Sequence, residues 1–341
     1  MPRDLKVGEV TAKQGETRWG SATSVELRDG TEVKLPVILV NGAEDGPVLV
    51  ITAAVHPTEV IGTEAVRIVA RKLVDPKKLK GQIIAFPVTN PFGLQFGEYT
   101  SPHDGLNMSV SYPGSSQGSV TSRFANFIWE NATKKATLCM DFHENVEPCL
   151  HFSIVGYSKD PKAEKMALEA AKAFGITVIR PAGARFELPG TKPGDLTYST
   201  TCMANGIPAF TPEFEASYGL TLEMDQEVTV QVAVRGVMNV MKYLGMLPGE
   251  LEKQTGIQVL QGNFEFKGMT KANRGGLVHR LVEPGIKLKK GTPVAKIYNL
   301  FGDVVETIEM PFDGYVWGWT LRREFLTAQT GATISFCFAE V

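Results

Sequence analysis

Cysteine is scarce in this chain. Cys139, Cys149, Cys202 and Cys337 are the only four among 341 residues, and no two are spaced C-x-x-C. Neither a disulfide scaffold nor a thiol redox pair is written in the sequence. Cys139 and Cys337 lie in apolar, strand-like runs, so free buried thiols are expected. A surplus of charge is also missing. The formal net charge is −2, without the basic excess of a general nucleic-acid binder. No run approaches the ~20 apolar residues of a membrane span. The opening residues, MPRDLKVGEV, hold no apolar core of signal-peptide length. A cytoplasmic protein is the expectation. No G-x-x-x-x-G-K-[ST] occurs, which sets aside a phosphate-binding loop.

What is present centres on residues 48–62, VLVITAAVHPTEVIG. Val48 to Val55 carries no charge and is rich in β-branched residues, which predicts a buried strand. The strand is expected to end at His56, with Glu59 three residues on and a helix over 64–73. In open α/β sheets ligands bind outside the carboxyl ends of the strands. A His-x-x-Glu pair at such a turn can aim an imidazole nitrogen and a carboxylate oxygen at one point, and zinc prefers both.

Around that stretch, 17–40 reads as two antiparallel strands joined by Asp29-Gly30. A second apolar strand is expected at 83–88, followed by a Gly- and Ser-dense functional loop at 93–120. A helix is expected at about 121–133, capped by Ser119 or Thr121. Strands at 137–142 and 151–155 follow, then an amphipathic helix at 161–174 closed by Gly175. A short strand at 176–179 and a second Gly/Pro-rich loop at 181–200 precede an apolar strand at 208–214. A long helix spans 225–244. Strands alternating with helices predict an α/β fold, a three-layer arrangement around a mixed, mainly parallel sheet. After Pro248 the pattern becomes short strands separated by Gly and Pro, with no helix. The expected division is a catalytic α/β domain at 1–250 and a small all-β, barrel-sandwich-like domain at 251–341.

The chain has five histidines. Two of them, His56 and His143, close apolar strands of the same expected sheet. Taken singly, either is an ordinary hydrogen-bonded structural residue. With Glu59 they make a two-His, one-carboxylate set, which catalytic zinc commonly has, leaving a fourth position for water. Asp141 stands two residues before His143, where it could fix the ligand tautomer. Hydrolysis would further need a base for the water. Glu213 and Glu215 end the strand at 208–214; one is expected to face the crevice, the other to face out or pair with an arginine.

These residues carry a resemblance. GPVLVITAAVHPTEVIGTEA resembles the metal-binding opening of the succinylglutamate desuccinylase/aspartoacylase family, which has a zinc carboxypeptidase-like fold. Asp141-Phe142-His143 matches its D-x-H with the third ligand. Gly206-Ile207-Pro208-Ala209-Phe210-Thr211-Pro212-Glu213 matches the run holding its catalytic glutamate, which selects Glu213 over Glu215. Val282-Glu283-Pro284-Gly285, Lys290-Gly291-Thr292-Pro293-Val294-Ala295 and Met310-Pro311-Phe312-Asp313-Gly314 are similar to the appended β domain. The resemblance implies one zinc per chain on His56, Glu59 and His143, with Glu213 as general base of a linear-amide deacylase acting on a small N-acyl compound. One departure stands out. Where the family shows D-G-L-N-x-N-R-x-F-P-G, this chain has Asp104 to Gly114 with Ser109-Val110 in place of Asn-Arg. In relatives that pair grips a substrate carboxylate, which an arginine can do with two parallel hydrogen bonds. The usual acidic N-acyl amino acids are therefore not expected as substrates. Asn107, Ser109, Arg123, Glu144 and Arg185 are the candidate substrate contacts. Glu144 and Asn145 could also orient water. Cleavage of an ester or unusual amide at the same site stays open, as does a non-catalytic module that keeps the metal. The expected partner is a small-molecule N-acyl substrate, with no nucleic acid and no membrane. A homo-oligomer such as a dimer is left open.

Overall fold

The computed structural model describes residues 4–145, 148–181, 196–215, 223–320 and 326–341. Its main feature is a 13-stranded sheet. The parallel heart runs in the order Ala209–Phe214, Leu138–Asp141, Glu44–Thr52, Lys80–Phe86. Away from the exposed starts of Glu44–Thr52 and Lys80–Phe86 the strands are buried and mainly apolar, as they must be when both sheet faces are covered. Beyond Lys80–Phe86 the sheet turns antiparallel through Glu32–Asn41 and Glu16–Glu26. The Asp-Gly turn joins these two strands, as the sequence predicts.

Strand alternation sorts the side chains between two helical layers. Phe210 and Phe214 point to one face, where their rings meet Phe174 of helix Pro161–Phe174. That helix and Ile61–Ile68 both pack on the long helix Glu223–Tyr243. Gly236 of the long helix lies flat against Phe174, since a Cβ there would stand 2.3 Å from the ring. Thr211 points to the other face and shares a 2.7 Å hydrogen bond with Ser199 of helix Tyr198–Ala204. The three layers follow from this two-sided burial.

Several boundaries differ from the sequence reading. The strand expected to run to His56 stops at Thr52, because Ala54 adopts φ +46, a region a non-glycine residue rarely visits. The helix expected at 64–73 begins earlier, as Ile61–Ile68, and ends in a π turn. The loop expected at 93–120 is preceded by a short helix, Pro91–Phe96, that reaches into it, and it contains a 3-10 turn, Met108–Val110. Asn90 caps the short helix by accepting from Gly93 N at 2.9 Å. Ser119 takes the cap position of helix Val120–Asn131, but its side chain makes no capping hydrogen bond to the helix backbone. Asp104 accepts from the Thr121 backbone and hydroxyl, both at 2.9 Å. In the second expected loop, residues 182–195 lie outside the described residues, and Tyr198–Ala204 is helical.

The C-terminal region is rich in strands. A four-stranded sheet contains Gly276–Arg280, Pro293–Tyr298, Val304–Glu309 and Thr327–Ala328. Phe264–Lys271, which the sequence pattern does not single out, pairs in parallel with Thr177–Arg180. It also pairs antiparallel with Thr333–Glu340, so the main sheet continues into this region. The four cysteines are free and buried.

Candidate metal centre

The parallel strands Glu44–Thr52, Leu138–Asp141 and Ala209–Phe214 all deliver their carboxyl ends to one edge. The positive φ of Ala54 turns the chain out of the sheet there. Asn90 holds the turn by donating to the Val55 carbonyl at 3.0 Å. His56 and Glu59 then close a tight loop, with Glu59 N bonded to His56 O at 3.2 Å. Helix Ile61–Ile68 starts immediately afterwards. Its Ile61 N–H donates to Glu144 at 2.7 Å, a carboxylate placed where a helix N-terminus favours negative charge. Glu144 follows His143, so this bond ties the His143 strand to the His56–Glu59 turn. Gly62 permits the approach: a Cβ there would lie 2.4 Å from the Phe142 Cβ.

The result is a buried cluster. His56, Glu59 and His143 each offer a donor atom within 4.8 Å of the others. Glu59 Oε1 lies 2.7 Å from His56 Nδ1, and its Oε2 lies 3.0 Å from His143 Nδ1. The far nitrogens are also engaged. His143 Nε2 donates to Asp141 at 3.0 Å, and the other Asp141 oxygen accepts from Thr52 Oγ1 at 2.6 Å. His56 Nε2 lies 3.3 Å from Asn107 Oδ1, an oxygen that also accepts from Ser109 N. Carboxylate and amide oxygens only accept, so both Nε2 atoms carry protons. Each Nδ1 must then carry a second proton or give its lone pair to a cation. Glu59 Oε2 is buried, and although it lies 3.0 Å from His143 Nδ1 it makes no well-aligned hydrogen bond. Two imidazole nitrogens, a carboxylate with a spare oxygen and outer groups that hold the ligand tautomer fit a zinc-type ion.

The electrostatics agree with a site built for positive charge. Burial pushes the Glu59 carboxyl up, yet the His143 and His56 imidazoles outweigh it and hold Glu59 below the usual range. Burial works against a charged His143, but Glu59 and Asp141 raise its pKa well above the ordinary value. Glu213 sits beside His143 in the strand register. Burial, opposed by His143 and reinforced by Glu59 and Asp141, raises its carboxyl to about 7. Asn145 donates to Glu213 Oε2 at 3.4 Å.

The structure separates Glu213 from Glu215, but for a reason other than opposite faces. Residues two apart on a strand share a face. The strand ends at Phe214, and beyond it the Glu215 backbone N–H donates to His151. The other named residues are scattered. Asn107 meets His56, Ser109 is buried beside it, and Glu144 holds the helix start. Arg123 is exposed and donates to the Gly118 carbonyl at 2.8 Å, lining a surface cavity with Thr23, Val25 and Phe127 away from the cluster. Arg185 lies outside the described residues. The sequence reading missed Thr52, Asn90 and Tyr99. The Tyr99 ring is stacked on His56 with centroids 3.6 Å apart and 12° between planes. Of the three, Asn90 has a local signal, a cap residue followed by proline.

Known proteins share this architecture. N-alpha-acetyl-L-2,4-diaminobutyric acid deacetylase of Halomonas elongata is 24% identical over 301 residues, 86% of this chain and 79% of that protein. The product-bound ectoine utilization protein EutE of Ruegeria pomeroyi superposes with a TM-score of 0.78 at 20% identity, covering 95% of each chain. A succinylglutamate desuccinylase/aspartoacylase from Rhodobacter sphaeroides gives a TM-score of 0.78 at 21% identity, covering 95% of this chain and 96% of that one. The signature described as the succinylglutamate desuccinylase/aspartoacylase catalytic domain matches residues 45–243, more than half of the sequence. This chain belongs to the succinylglutamate desuccinylase/aspartoacylase family.

Proposed function

We propose that the protein is a zinc-dependent deacylase that hydrolyses the amide bond of a small N-acyl compound. The observation that carries this reading is the buried His56–Glu59–His143 donor set next to Glu213. The deacetylase relative from Halomonas elongata supports amide hydrolysis. His56 and His143 would hold one zinc per chain through Nδ1, and Glu59 through its carboxylate. A zinc ion supplies Lewis acidity, lowering the pKa of water and polarising a carbonyl.

The remaining work falls to the chain. Glu213 accepts the proton of the attacking water and returns it to the leaving amine. A carboxyl raised to about 7 suits both halves of that transfer near neutral pH. Asn145 keeps the carboxylate aimed. Asp141, anchored by Thr52, keeps the proton on His143 Nε2 and so leaves Nδ1 for the metal. Asn107 does the same for His56. Ser109-Val110 cannot grip a carboxylate as an Asn-Arg pair does, so the substrate is not the usual acidic N-acyl amino acid. We further assign residues 1–250 to the catalytic domain and 251–341 to a small all-β domain, and place the protein in the cytoplasm.

The decisive experiment compares wild type, His143→Ala and Glu213→Gln. Elemental analysis is expected to give about one zinc per chain in wild type and in Glu213→Gln, and none in His143→Ala. Turnover of an N-acyl amide by Glu213→Gln should fall by about 10²- to 10⁴-fold. Stoichiometric zinc with unchanged turnover would remove Glu213 from the role of base. Absence of zinc from wild type purified without chelator would remove the metal.

A further inference from the structure

We propose that the side-chain amide of Asn107 is a substrate-recognition donor. Its Nδ2 takes a neutral acceptor oxygen, such as a carbonyl, that the N-acyl substrate carries a few bonds from the scissile amide. The inference rests on the amide-hydrolase reading above and narrows its substrate class.

Asn107 opens the 3-10 turn Met108–Val110 and is fixed through both its backbone and its side chain. Its carbonyl accepts from Val110 N at 3.3 Å and from Ser111 Oγ at 2.7 Å. Its Oδ1 accepts from Ser109 N at 2.9 Å and lies 3.3 Å from His56 Nε2. A backbone N–H can only donate, so this end of the amide is the oxygen and the other end is the NH2 group. Among the described residues that NH2 group has no acceptor. Asn107 is half-buried, and Nδ2 is not one of the orphaned polar atoms sealed in the interior. Its protons are therefore open to a ligand. The donor is also pre-set: Met108 and Ser109 are buried and anchor the turn, so little ordering is needed on binding. One imidazole ring and one hydrogen bond separate the amide from the metal side of His56. An acceptor that meets Nδ2 thus lies a few bonds from a carbonyl held at the cluster.

Charge decides which acceptor. Val110 replaces the family's arginine, and Arg123 is held by the Gly118 carbonyl away from the cluster. Among the described residues, the ionic partners of Glu59 and Asp141 are the two histidines. Glu59, Asp141, Glu144 and Glu213 are all buried around the cluster. A carboxylate on the substrate would add a further charge of the same sign beside them. A neutral oxygen meets the amide dipole without that cost. Hydrogen bonds between neutral groups change affinity by about two- to tenfold, which sets the scale of the preference.

The test separates the donor from the part Asn107 plays in holding His56. Asn107→Asp keeps an oxygen for Ser109 N–H and His56 Nε2 but puts an acceptor in place of the NH2 group. Asn107→Ala removes the whole amide. The panel holds N-acetyl amines that carry a methyl ketone one to three methylenes from the amide nitrogen, the levulinoyl amide of butylamine, and the plain alkyl match of each. N-acetyl-β-alanine supplies the carboxylate. kcat/KM is measured for zinc-loaded wild type and both variants. Affinity for the intact amides is measured by calorimetry in the Glu213→Gln background, with and without Asn107→Asp. Metal content and thermal midpoint establish that each variant is folded and loaded. The readout is the ratio of a ketone amide to its alkyl match, in which any effect of the new charge on the shared chemistry cancels. The wild type should favour at least one ketone amide over its match by about two- to tenfold, and over N-acetyl-β-alanine. That preference should vanish in Asn107→Ala and vanish or invert in Asn107→Asp, through KM and affinity. Amide hydrolysis with no ketone preference, with N-acetyl-β-alanine preferred, or with a ratio unchanged in either variant overturns this proposal alone. Failure of loaded wild type to hydrolyse any member of the panel overturns the amide-hydrolase reading and this proposal together.

Discussion

His151 makes the protein lose stability in acid in a way one substitution can isolate. The residue lies just before strand Phe152–Ile154, buried, with its ring tilted against Phe214. Its Nδ1 accepts the Glu215 backbone N–H at 3.1 Å, so the neutral tautomer is the one that fits. Burial lowers its pKa from 6.5 to about 4, with no other group contributing. The sign follows from linkage. The unfolded chain takes up the proton as pH falls below about 6.5, while the folded chain resists until about 4. Stability is unaffected above the upper value and is lost progressively between the two. The full loss is about 3 kcal/mol, and between pH 7.5 and 5 it is about 2 kcal/mol. His151→Gln keeps an acceptor for Glu215 N–H but cannot titrate. Urea unfolding of both proteins at pH 7.5 and 5 gives the double difference. Any fixed cost of the substitution cancels. Glu213, whose raised pKa has the opposite effect on stability as pH falls, cancels as well because both proteins contain it. The wild type should lose about 2 kcal/mol more than the variant over that range. Parallel losses would show that His151 is protonated in the folded protein and would refute the argument.

Two further outcomes test how the site is held. Asp141→Ala should weaken zinc binding by about 10- to 100-fold while the fold persists, because His143 loses the acceptor that fixes its tautomer; competition with a chromogenic chelator measures it, and unchanged affinity would show that Asp141 acts only structurally. Gly62→Ala sets two effects against each other: helix propensity favours alanine by about 1 kcal/mol, but the new Cβ would lie 2.4 Å from Phe142. Overpacking of that kind costs about 1–3 kcal/mol, so a lower unfolding midpoint with reduced zinc content is expected, and a raised midpoint would mean that the Ile61–Ile68 helix has room to shift.

The linear sequence determined a good deal. Continuous apolar runs and the helical repeat of 161–174 depend only on which faces must be buried, so the α/β layering and that helix were legible. The His56–Glu59–His143 cluster was legible because His and Glu are conspicuous at the ends of apolar strands, where a sheet must present them together. What needed the tertiary structure is long-range in origin. Nothing local to Ala54 announces a positive φ, so the strand appeared to continue to His56. Nothing in Thr52 announces its bond to Asp141, 89 positions away. Nothing local to Glu144 announces that its carboxylate meets the start of helix Ile61–Ile68, 83 positions earlier. Glu213 and Glu215 are equivalent by pattern. Beyond the family resemblance, it took the end of the strand at Phe214 and the burial of the Glu213 carboxyl beside His143 to raise one of them to about 7 and leave the other beyond the sheet. Residue types and their periodicity chose the chemistry available, and the three-dimensional packing decided which groups share a desolvated space, because distance and burial, on which pKa and coordination depend, are not local properties of the chain.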